Sequence, residues 1–161
     1  MKKMNNKGFS LVELIVVVLI MAIIAVALAP QVMKWVENSR VSTDCTNYES
    51  LVENIQLALA DKDCYKVISA AGEEGKKATA TITDSATTIA AASTNGCSAN
   101  AVSAIQTALS KIDASYTKIA KKASAASPAS YVIDITLGKQ ANVSKNSANN
   151  PEVLKNGTDL S

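Results

Sequence analysis

Residues 14–29 form sixteen consecutive apolar positions without a single charge. After them the pattern changes from uniformly apolar to periodic. Val41, Cys45, Tyr48, Val52, Ile55 and Leu59 are spaced by 4, 3, 4, 3 and 4, the spacing of one stripe along a helix. Arg40, Asp44, Glu49, Glu53 and Gln56 fall between them, on faces expected to be wetter. The two patterns join into one nearly continuous helix over about 9–60, roughly 78 Å long at 1.5 Å per residue. A small domain does not need a helix of that length, so its first half is expected to project and its second half to pack. Pro30 lies inside it. Proline removes one backbone hydrogen bond and crowds the carbonyl one turn earlier, so a bend is expected there.

Beyond residue 60 the signals weaken. Residues 61–75, punctuated by Gly72 and Gly75, read as a helix exit and connecting loop. Residues 76–93 are rich in Thr and Ala with partial alternation, compatible with strand or irregular chain. Ser98 or Asn100 is placed to cap a second helix over about 98–122, with the stripe Val102, Ile105, Leu109, Ile112, Tyr116 and Ile119. Ser127-Pro128 closes that region. The alternating run 131–137 is the clearest strand, followed by a turn at Gly138-Lys139 and a weaker partner at 141–144. The fold class read from this pattern is α+β: a long N-terminal helix, a second helix and a short antiparallel sheet.

Composition narrows the function. There is one Trp, one Phe and no histidine, which removes the commonest general base and the commonest metal ligand. No nucleophile–base pair can be assembled, so an enzyme is the least favoured class and no cofactor is implied. The net charge is +2, but Lys2, Lys3 and Lys7 precede the apolar run, and without them 13 basic residues face 14 acidic ones. Bulk charge therefore predicts no nucleic-acid partner. Cys45, Cys64 and Cys97 show no C-x-x-C spacing, so a metal site is not expected. Three cysteines permit one bridge and one spare thiol. Cys64 with Cys97 is the favoured pair because both fall in expected loops, while Cys45 sits on the apolar stripe as a core thiol; the other pairings stay open. Near the C-terminus Asn149, Asn150, Glu152 and Asp159 offer oxygen ligands for Ca²⁺, without a regular ligand spacing.

A basic head followed by an apolar run directs the chain to a membrane, with its N-terminus on the cytoplasmic side. Three readings compete. A secretory signal peptide would use Ala27-Leu28-Ala29, but Pro30 would then follow the cut directly. An ordinary anchor explains the apolarity and the basic head. Neither accounts for Glu13, since a carboxylate costs about 2.5–3.5 kcal/mol at the centre of a membrane helix and less near its end.

The third reading rests on Lys7-Gly8-Phe9-Ser10-Leu11-Val12-Glu13, which resembles the prepilin cleavage motif of type IV pilins and pseudopilins. The resemblance implies a leader, 1–8, removed by a prepilin peptidase between Gly8 and Phe9, with N-methylation of Phe9. It implies a membrane-spanning and filament-core half, 9–36, and an exported globular pilin-like domain, 37–161. Phe9, Glu13 and Pro30 become assembly residues, Glu13 pairing with the Phe9 amine of a neighbouring subunit. The implied partners are further copies of the chain in a helical filament, the peptidase, a pilus assembly platform and the membrane. The implied location is the cytoplasmic membrane before assembly and an extracellular pilus afterwards, serving adhesion or motility. A pseudopilin of a secretion or DNA-uptake machine is the alternative within the family; a membrane-tethered binding domain that never polymerises is the alternative outside it. Ala22 stands where many relatives place glycine, which disfavours local unwinding by about 1 kcal/mol. The resemblance is specific over about 7–36 and architectural beyond.

Overall fold

The structure, a computed structural model, describes residues 9–124, 128–139 and 141–157. The chain divides into two units, Met1–Val36 and Glu37–Ser161. Helix α1, Leu11–Ala60, contributes to both. It starts at Leu11 and not at Phe9, because Ser10 closes its N-terminus: the Ser10 N–H donates to Glu13 Oε2 at 2.9 Å, one half of a capping box in the sequence S-x-x-E. The helix runs through Pro30 without stopping.

In the second unit α1 buries Val41, Asp44, Cys45, Tyr48, Leu51, Ile55, Ala58 and Leu59. The expected stripe is thus largely realised, with two changes. Leu51 takes the fully buried place expected for Val52, which is only half-buried, and Asp44 is inside rather than on a wet face.

Residues 61–75, expected to be loop, contain a further helix, α2, Lys62–Ala70. Asp61 starts it by accepting from the N–H groups of Asp63 (3.0 Å) and Cys64 (3.1 Å). These bonds, that from Cys64 foremost, hold the Asp61 carboxyl below its ordinary range. Cys64 and Ile68, four residues apart, are its buried positions.

Strands β1, Lys77–Ile82, and β2, Thr87–Ala91, form a hairpin from the Thr- and Ala-rich stretch. Strands β3, Tyr131–Thr136, and β4, Asn142–Lys145, complete an antiparallel sheet of order β2-β1-β3-β4. Ala80 opposes Ile89 on one side and Ile133 on the other, and Ile135 opposes Val143. The same face of all four strands turns inward: Ala80, Ile89, Ile133, Ile135 and Val143 are buried. Small alanines on β1 leave space for the isoleucines on either side. This face, the buried stripe of α1, α2 and a third helix make one continuous core.

That third helix, α3, Ala99–Ile112, is capped by the Ser98 hydroxyl, as expected, but ends ten residues before 122. Asp113 adopts an extended backbone. Its Oδ1 accepts from the Ser115 N–H (2.8 Å) and hydroxyl (2.7 Å), a side-chain turn that competes with helix. A single 3₁₀ turn, Tyr116–Lys118, follows. Tyr116 and Ile119 still reach the core, which is why their spacing imitated a longer helix. A short helix, α4, Glu152–Gly157, follows β4. Of the residues expected to end the second helix, Ser127 lies outside the described residues.

Candidate functional site

The motif residues begin at Phe9; Gly8, with the rest of 1–8, lies outside the described residues. Phe9 precedes α1 and is 82% exposed. In the uncut chain the Phe9 nitrogen is an amide and carries no charge. Glu13 instead takes the nearest donor, the N–H of Ser10. Its carboxylate lies in the first turn of the helix, where the helix dipole favours negative charge.

Behind it, the large apolar side chains of the first unit, among them Ile15, Leu19, Ile23 and Val26, are exposed. The helix is long and apolar enough to cross a membrane by length and composition, with a mean hydropathy of 3.2 over its most apolar window. So much apolar surface is strongly unfavourable in water. Trp35, the one tryptophan, follows the apolar run, a position that suits the headgroup level of a bilayer.

The second unit contains a carboxylate centre that sequence reasoning missed. Asp44 is 2% exposed. Its Oδ1 accepts from the Lys122 N–H at 2.8 Å, and its Oδ2 accepts from the Ala123 N–H at 2.8 Å and the Tyr131 hydroxyl at 2.9 Å. Two turns earlier on α1, Glu37 accepts from the Ser124 N–H and hydroxyl, both at 2.6 Å. Two carboxylates on α1 thus hold the backbone of 122–124 against the helix. A signal was present: Glu37, Val41, Asp44 and Tyr48 follow the same 4, 3, 4 spacing as the apolar stripe. An acid on that stripe needs a buried partner.

Beside this centre the Tyr48 and Tyr131 rings meet edge to face at 6.4 Å. The Tyr48 hydroxyl donates to the Val132 carbonyl (2.7 Å) and accepts from the Asn146 N–H (3.2 Å). Burial pushes the Tyr48 phenol up to about 12. Burial and the Asp44 carboxylate push Tyr131 higher still. Both tyrosines are therefore neutral donors that tie β3 to α1, not acid–base groups for neutral pH.

Oxygens of Asn149, Asn150 and Glu152, three of the residues considered for Ca²⁺, take part in other contacts. Asn150 Oδ1 accepts from the Glu152 and Val153 N–H groups, starting α4. Glu152 pairs with Lys145 at 2.7 Å, and the Asn149 carbonyl accepts from the Val132 N–H at 2.7 Å. Asp159 lies outside the described residues.

Cys45, Cys64 and Cys97 are all buried thiols, and the Cys64–Cys97 bridge is not formed in the structure. Burial, reinforced by Asp61, pushes the Cys64 thiol up to about 11; burial and Glu73 raise Cys97. Reagents act on the thiolate. Iodoacetamide at neutral pH is therefore expected to leave the folded protein largely unmodified. Unfolded but unreduced protein should gain three groups by mass, one for each thiol. Gain of a single group would mean that two of them had bridged.

With this geometry in view, one family comparison is informative: residues 3–29 match the prokaryotic N-terminal methylation motif, the class III signal of type IV pilins and pseudopilins. No curated protein and no solved structure matches the chain.

Proposed function

We propose, from the premise that this chain carries a prepilin-type N-terminal methylation signal, that it is the structural subunit of a type IV pilus filament. In this reading the leader 1–8 is removed by a prepilin peptidase and Phe9 becomes an N-methylated first residue. The stretch 9–36 then serves twice, as a membrane anchor before assembly and as the filament core afterwards. Both uses cover the same apolar surface, by lipid in one case and by neighbouring helices in the other. The domain 37–161 is carried outside the membrane and becomes the filament surface, where adhesion or motility would be exercised.

The observation that carries the proposal is the combination of the matched motif with an apolar stretch, 9–36, whose one acid, Glu13, sits in the first turn of α1. Cleavage before Phe9 converts an amide into a cationic amine, the natural partner for that acid. Intramembrane carboxylates are costly and need such a partner. N-terminal sequencing of the mature protein by mass spectrometry is expected to begin at N-methyl-Phe9. A mature chain starting at Met1, or at Pro30, would remove the reading.

A further inference from the structure

Between β2 and α3 the chain makes a tight loop, 92–98, closed on a single residue of β1. The Lys77 carbonyl accepts from the Ala92 N–H (3.1 Å) and the Cys97 N–H (3.0 Å), and the Lys77 N–H donates to the Asn95 carbonyl (2.9 Å). Lys77 and Gly96 form an isolated parallel bridge. Two positions of this loop admit very few residue types. Asn95, with φ 53°, is the one non-glycine residue of positive φ among the described residues, and asparagine is one of the few side-chain-bearing residues that visit that region routinely. Its Nδ2 also donates to the Gly75 carbonyl at 2.9 Å. At 96 a Cβ would run into the Ala92 carbonyl oxygen, which is backbone and cannot swing aside, so only glycine fits. The fold thus requires, side by side, the two residue types whose pairing most readily loses a side-chain amide.

We propose that Asn95-Gly96 is a site of spontaneous covalent modification, at which the Asn95 carboxamide is lost through a succinimide and the loop is unfastened from β1. The Gly96 nitrogen attacks Asn95 Cγ. A new C–N bond closes the ring, the Cγ–Nδ2 bond breaks, and ammonia leaves with the proton that the Gly96 nitrogen gives up. Water then opens the ring at either carbonyl, to aspartate or to isoaspartate. Water is the only co-reactant, and Asn95 is exposed to it. Glycine leaves the attacking nitrogen unshielded by any side chain. Each product removes what the loop needs. Aspartate has no N–H to give the Gly75 carbonyl and sets a carboxylate oxygen against it instead. Isoaspartate adds one methylene to the main chain, so the bonds of Lys77 to residues 95 and 97 cannot both be kept. The bond from Asn95 to Gly75 retards the reaction in the closed loop, but an exposed loop opens locally at little cost.

The test ages the full chain in detergent micelles at mildly alkaline pH, beside a sample held unfolded in guanidinium, and follows the asparagine peptides by mass. Asn95 in the folded chain is expected to convert at no less than about a tenth of its unfolded rate, because opening of the loop costs little. Asn47, Asn54 and Asn100, inside helices and followed by Tyr48, Ile55 and Ala101, should stay intact. Slower conversion at Asn95, or earlier conversion at any of these three, overturns the site. Asn156-Gly157, a second pair of the same kind, falls on a separate tryptic peptide and is read apart. Asn95→Gly suits the positive φ and removes the carboxamide. Its unfolding midpoint should hold on ageing, while that of the unsubstituted chain falls by a few degrees. Equal falls in both would place the damage elsewhere and overturn the unfastening. Asn95→Asp makes one product directly and should start at the lowered midpoint. A midpoint equal to that of the fresh unsubstituted chain counts against the unfastening in the same way.

Discussion

Replacing Glu13 by glutamine should leave membrane insertion and cleavage before Phe9 intact while reducing filament yield by two orders of magnitude or more. Two effects must be separated, because Glu13 has two partners to lose. Within its own chain it accepts the Ser10 N–H, and loss of such a cap costs a helix about 1 kcal/mol. That is small for a helix of 50 residues. In the proposed filament it meets a charged amine in an apolar environment, where removing one partner of a buried ion pair costs about 3–5 kcal/mol. The second effect wins by a wide margin and repeats at every subunit. Glutamine separates them cleanly: it can still accept the Ser10 N–H, as capping boxes use Glu or Gln alike, but it carries no charge. The measurement is sheared filament mass against total mature subunit. If Glu13→Gln assembles normally while Glu13→Ala does not, Glu13 acts as a cap and the pairing role is lost.

The second large effect is expected at Asp44. Asp44→Ala leaves the Tyr131 hydroxyl and the Lys122 and Ala123 N–H groups without their acceptor inside the domain. Each orphaned buried group costs about 1–3 kcal/mol, and some relaxation toward water is available to Lys122. A total loss of about 3–5 kcal/mol is expected, against a typical domain stability of about 5–15 kcal/mol. The thermal midpoint should fall by roughly 10–20 °C. Glu37→Gln is the contrast: its bonds to Ser124 lie at the surface, and exposed charged contacts are worth about 0–1 kcal/mol. Far-ultraviolet circular dichroism of the two variants during heating decides the matter. A loss at Asp44 no greater than at Glu37 would mean that the buried centre is not a structural tie.

The N-terminal motif was legible because it is contiguous. Gly8, Phe9, Ser10 and Glu13 state their chemistry within a few positions, and no folding is needed to bring them together. The apolar stripe of α1 was legible for a related reason, since helical period is a local property. The same is true of β3, where alternation alone separates Tyr131, Ile133 and Ile135 from Val132 and Asp134. Reading failed where short polar side chains overrode apolar spacing. Asp61 starts α2 and Asp113 ends α3 through bonds to their own backbone. Neither bond changes the hydrophobic pattern.

By itself, the sequence determined that this protein carries an N-terminal methylation motif, an apolar helix behind it and an α+β domain after it. Those properties follow from neighbouring residues and a fixed helical or strand period. Tertiary structure alone decided which polar groups are buried, and so what fastens the domain together. Asp44 reads locally as one more surface acid. It becomes the tie between α1, β3 and the segment after α3 only because its partners, 78 to 87 residues away, are folded onto it. A buried carboxylate is tolerated only where enough donors converge, and convergence across such distances is a property of the folded chain, not of any local stretch.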